Sequence, residues 1–77
     1  MPRKIRELEA DLVRAGFRLL PKRGKGSHRR YAHPDAPGVP VTIAGARGDD
    51  AQAYLERDVR VAIARVRAMQ EERRRQP

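Results

Sequence analysis

The sequence predicts an α+β fold in the order helix, strand, strand, strand, helix, with a three-stranded antiparallel sheet carrying both helices on one face. Three observations predict it. Apolar residues step at helical spacing toward both ends of the chain, a short stretch between them alternates with a period of two, and glycine- and proline-bearing segments punctuate the middle.

Ile5, Leu8, Leu12 and Ala15 step by three, four and three, the stripe of a helix laid on a core, with charged residues on the remaining faces. Gly16 is the expected stop, and Phe17 beyond it can fold back on the last turn as its apolar partner. Residues 17–20, short and apolar-leaning ahead of Pro21, read as a brief strand, and residues 22–26 as the basic turn that follows it. Residues 27–33 form the returning strand. Its alternation puts Ser27, Arg29, Tyr31 and His33 on one face and His28, Arg30 and Ala32 on the other. Tyr31 marks the inward face, so His28 is expected to point outward.

Residues 34–38 contain two prolines, an aspartate and a glycine, which is turn chemistry. Residues 39–43 follow as the third strand, with Val39, Val41 and Ile43 inward and Pro40 tolerated on a sheet edge. The acidic pair Asp49 and Asp50 is placed to cap the next helix and complement its positive end. Leu55, Val59, Ala62, Ile63, Val66 and Met69 supply that helix with its apolar face. Residues 70–77 lack an apolar side chain and read as a fraying helix end or a charged, flexible tail, leaving residues 1–69 as a single domain.

Composition narrows the chemistry. Eighteen basic residues against ten acidic ones give the 77-residue chain a formal charge of +8, which favours a phosphate-rich partner. Fifteen of the basic residues are arginine, a skew that GC-rich coding can also produce, so position matters more than the total. Between Leu20 and Tyr31 stand Lys22, Arg23, Lys25, Arg29 and Arg30 with no acidic residue among them. That is a concentrated patch. No cysteine is present, which removes disulfides, thiolate nucleophiles and thiolate metal sites, and two histidines are too few for a multi-histidine metal centre. No segment has the length and apolarity of a membrane span or the apolar core of a secretory signal, so a cytoplasmic chain without a cofactor is expected.

His28 is the candidate catalytic residue. It follows Gly26, which permits close backbone approach, and Ser27, whose hydroxyl can hold a phosphate oxygen, and two arginines come directly after it. RNA carries its own nucleophile in the 2′-hydroxyl, so its cleavage requires a proton acceptor, cationic stabilisation of the phosphorane charge and help for the leaving 5′-oxygen. An imidazole can exchange protons near neutral pH, and Arg30 on the same face can supply charge. Lys22, Arg23, Lys25, Gly26, Ser27, Arg29 and Arg30 are the candidate RNA contacts. His33 lies five residues on, an odd separation that sends it to the opposite face, and it reads as a structural strand-end residue.

Gly26, Ser27 and His28, followed by Tyr31 and by His33, Pro34 and Asp35, resemble the HicA toxin family of bacterial toxin–antitoxin systems. The resemblance extends from the first helix ending in Ala15, Gly16 and Phe17, through the valine-rich third strand, to Gly48, Asp49 and Asp50 ahead of the last helix. It implies a miniature double-stranded RNA-binding domain acting as a metal-independent ribonuclease on messenger RNA. It also implies a HicB-like antitoxin that covers the active site, and a catalytic role for His28. Ala53, Tyr54 and Leu55 stand where many members carry glycine, threonine and leucine. The alternative reading is a non-catalytic RNA-binding module gripping A-form backbone through shape and phosphate contacts. A DNA-binding or structural partner protein fits the charge but leaves the placement of Gly26, Ser27 and His28 unexplained.

Overall fold

Ile5, Leu8 and Leu12 lie along one side of α1 (Ile5–Arg14) and are almost completely buried in the computed structural model, which describes residues 2–21 and 28–75. The helix stops as its sequence dictates. Gly16 adopts φ of 99°, its N–H bonds to the Val13 carbonyl at 3.0 Å, and Phe17 N–H reaches the Leu12 carbonyl at 2.9 Å, turning the buried Phe17 ring back onto the core.

Three strands follow, β1 (Arg18–Leu19), β2 (Arg29–His33) and β3 (Ala36–Ile43), in the spatial order β1-β2-β3 with both pairings antiparallel. Tyr31 on the central strand opposes Leu19 and Val41, and Arg30 opposes Thr42. The inner face therefore carries Tyr31, His33, Val41 and Ile43, all buried, whereas Arg18, Arg30 and Thr42 are exposed on the outer one. α2 (Ala53–Arg75) adds Leu55, Val59, Ala62 and Val66 to the same core, so both helices cover one face of the sheet.

Three elements depart from the sequence expectation. β3 starts at Ala36, so the turn shrinks to Pro34 and Asp35, and the pairing slips between Tyr31 and His33 to set His33 opposite Ala36. Pro37 and Pro40 are accommodated because β3 is an edge strand, where a missing N–H breaks no ladder.

Asp49 and Asp50, expected at the start of α2, serve α1 instead. The Asp49 and Arg47 carbonyls accept the N–H groups of Ile5 and Arg6 at 2.9 and 3.0 Å, and Lys4 Nζ donates to Asp50 Oδ1 at 2.5 Å. Helix α1 needs such acceptors because its first N–H groups have none within the helix.

Residues 70–75, expected as a fraying end or a flexible tail beyond a helix ending near Met69, continue α2 to Arg75. Gln70 and Arg73 donate to the Asp35 carboxylate at 3.1 and 3.2 Å, and Arg74 and Arg75 pair with Glu71 one turn back. Gln, Glu and Arg are good helix formers, and the pairs with Glu71 fall at helical i,i+3 and i,i+4 spacing.

Candidate functional site

His28 immediately precedes β2 and is exposed. Strand alternation, extended back by one residue, sets it on the side of Arg30 and away from Tyr31. Arg30 is likewise exposed, and across the outer face Arg18 opposes Ala32 on the neighbouring strand. The outer face thus presents arginines from two strands. Lys22, Arg23, Lys25, Gly26 and Ser27 lie outside the described residues.

The two histidines have different environments. His33 is only 5% exposed. Its Nδ1 accepts the Asp35 N–H at 3.0 Å, which leaves the proton on Nε2 to be donated to the Ala15 carbonyl 3.0 Å away. Its ring meets Phe17 edge-on at 5.3 Å. Both nitrogens of His33 are committed to the fold.

Arg29 shares the inner face with Tyr31, and it is not brought together with His28 and Arg30. Its Nε and Nη2 donate to the two oxygens of Glu9 at 3.0 and 3.1 Å, and Nη2 also reaches the Gly45 carbonyl at 2.9 Å. Glu9 itself is a buried carboxylate, one of the charged α1 positions expected on the solvent faces. The Tyr31 hydroxyl donates to its Oε2 at 2.5 Å, and Arg47 Nε forms an ion pair with Oε1 at 3.2 Å.

Burial pushes the Glu9 carboxyl upward, but the hydrogen bonds from Arg29 and Tyr31, with the charges of Arg29 and Arg47, outweigh it and hold Glu9 below its ordinary value. Burial, and then the neighbouring carboxylate, push the Tyr31 phenol up to about 12. Glu9 and Arg47 are the members of this cluster that the sequence reading missed. Residues 5, 8, 9 and 12 follow helical core spacing, so Glu9 was detectable as a carboxylate on the apolar stripe, facing a strand whose inward side carried Arg29. Nothing local marks Arg47, because its partner lies 38 residues away.

The cleft between α1 and α2, about 580 Å³, is lined by Leu8, Val59 and Ile63 together with charged residues of both signs, among them Arg3, Asp11 and Glu56, and His28 takes no part in it. Among the described residues, no group of three or more His, Asp or Glu side chains is arranged to hold a metal ion, and no helix is long and apolar enough to cross a membrane.

No curated protein and no solved structure matches the chain. The family model for the HicA toxin of bacterial toxin–antitoxin systems matches residues 5–65, a span running from the first residue of α1 through most of α2 and including His28 and the Glu9 cluster. The chain belongs to the HicA toxin family.

Proposed function

We propose that this toxin is a metal-independent RNA endonuclease in which His28 acts as general acid and base on the ribose 2′-hydroxyl, and that a HicB-like antitoxin neutralises it. The observation that carries the reading is the contrast between the histidines: His33 is buried with both nitrogens engaged, while His28, just before β2, is exposed.

In this reading His28 accepts the 2′-hydroxyl proton as that oxygen attacks the adjacent phosphorus. The bond to the 5′-oxygen breaks, and the departing oxygen takes up a proton. Arg30 stabilises the charge that develops on the phosphoryl oxygens. Arg29 instead anchors β2 through Glu9. Lys22, Arg23, Lys25, Gly26 and Ser27 remain proposed RNA contacts, the basic residues supplying the salt-sensitive part of binding. DNA, lacking the 2′-hydroxyl, is not a substrate.

Incubation of the purified protein with RNA in EDTA tests this. Cleavage is expected, His28→Ala should abolish it while leaving the fold intact, and a strand with 2′-deoxyribose at the scissile position should resist. Equal cleavage by the variant overturns the assignment of His28. Salt-sensitive binding without turnover at any protein concentration would favour the non-catalytic RNA-binding reading.

A further inference from the structure

We infer that Arg47 is a phosphate-binding residue of the His28 site, held for that task by the buried carboxylate of Glu9; this rests on the ribonuclease reading above.

Glu9 does not need Arg47. Arg29 donates to both of its oxygens and Tyr31 to one, so the carboxylate is already paired and hydrogen-bonded without a second cation. Two guanidinium groups on one carboxylate leave one positive charge uncompensated within the cluster. That surplus charge faces water: the Arg47 side chain is 60% exposed, against 16% for Arg29.

Arg47 approaches Glu9 most closely through Nε, at 3.2 Å, and among the described residues its Nη atoms donate no hydrogen bond. An exposed arginine normally loses rotamer freedom when it grips a ligand. One already drawn to a carboxylate at Nε loses less, and it presents its remaining N–H groups as a fork suited to two phosphate oxygens.

The position is right for the substrate proposed. Arg29, the residue after His28, pairs in register with Ile43 and bonds to the Gly45 carbonyl, so the loop bearing Arg47 leaves the sheet at the end where His28 stands. The backbone here is open as well, since a Cβ built on Gly48 would meet only Arg6 Nη1, at 3.9 Å. Of the acidic side chains of this loop and of the start of α1, Asp50 is paired with the Lys4 ammonium, while Glu7 and Asp49 accept the Lys4 and Ala46 N–H groups. A polynucleotide crossing this end of the sheet would meet His28 on the outer side and Arg47 on the helical side.

The test measures binding of a single-stranded RNA oligonucleotide over a range of salt concentrations in the His28→Ala background, so that no cleavage intervenes. Adding Arg47→Ala should weaken binding about tenfold and lower the slope of log affinity against log salt by about 0.7, the release expected for one phosphate of a single strand. Arg47→Lys should restore the slope but not the affinity, because an ammonium cannot hold Glu9 and offer a second edge. An unchanged slope and affinity in Arg47→Ala overturn the inference and leave the His28 reading standing. Full affinity in Arg47→Lys overturns the anchored fork. No RNA binding by the unaltered chain overturns both readings. Thermal melting of each variant should stay close to that of its parent, and a collapse in Arg47→Ala would mean that Arg47 serves the fold, which also overturns the inference.

Discussion

Arg29 lies beside the exposed His28 in the chain, yet its guanidinium turns inward to Glu9, at 3.0 and 3.1 Å. An exposed histidine thus stands one residue ahead of a buried ion pair. β2 is the central strand, so whatever fixes its inner face also fixes the position of its outer face.

Breaking that pair from one side should be costly. Glu9→Ala removes the carboxylate that balances the charge of the largely buried Arg29 and accepts the Tyr31 hydroxyl, and removing one partner of a buried pair typically costs about 3–5 kcal/mol. Replacing both members, Glu9→Ala with Arg29→Met, removes the stranded charge and should recover at least ~1 kcal/mol of the loss. Urea unfolding of the two single variants and the double variant measures this, and strictly additive losses would show that the pair is not coupled.

Stability should fall at both extremes of pH through the same cluster. Folding holds the Glu9 carboxyl below its ordinary value, so its contribution is present above the unfolded-state value of about 4.3 and disappears as pH drops through the folded one. Tyr31 runs the other way. Its phenol is raised from 10.0 to about 12, so folding favours the neutral form, and the contribution is complete below pH 10 and lost as pH climbs toward 12. Tyr31→Phe should be less stable than the parent at neutral pH, with the gap narrowing between pH 10 and 12. A gap that stays constant over that window contradicts the assignment.

The features legible in the sequence were those set by local spacing. The Ile5, Leu8 and Leu12 stripe, the Gly16 stop and the inward Tyr31 all follow from residues within a few positions of one another. What escaped depended on distant partners. Pro37 and Pro40 signalled a turn and an edge, and only the sheet order shows that one edge strand accommodates both. Residues 70–75 have no apolar side chain to announce a packed helix, but Asp35 takes both Gln70 and Arg73. Asp49 and Asp50 looked like a cap for the helix next in sequence, whereas the N–H groups that use this loop belong to the first one. The site divides in the same way. Arg29 shared Tyr31's face by parity, which already argued against grouping it with His28 and Arg30, and its partner Glu9 became evident only with the packing of α1.

Gly16 carries two constraints at once. Its φ of 99° suits glycine, and a Cβ added there would sit 2.7 Å from His33 Nε2, the atom that donates to the Ala15 carbonyl. Gly16→Ala should therefore cost about 2–4 kcal/mol, combining left-handed strain with displacement of a buried ring. Gly38→Ala is the control, since an added Cβ there meets nothing within 4 Å, and it should stay within about 0.5 kcal/mol of the parent. Equal denaturation midpoints for the two variants would refute the constraint at Gly16.

The sharpest separation of fold from chemistry comes from the histidines themselves. His33→Ala empties a buried site, leaves the Asp35 N–H and the Ala15 carbonyl without their ring partner, and removes the edge contact with Phe17. It should lower stability by about 2–4 kcal/mol. At a temperature where the variant is still folded, its RNA cleavage should match the parent once corrected for folded fraction. His28→Ala should show the reverse, with stability within about 0.5 kcal/mol of the parent and no cleavage. The exposed ring lacks a buried environment to lose, while the buried ring has both nitrogens tied to backbone and cannot shuttle a proton without breaking a hydrogen bond. Circular dichroism melts paired with cleavage assays on the same preparations decide the matter. If the folded His33→Ala protein is inactive and His28→Ala cuts RNA normally, the roles assigned to the two residues are exchanged.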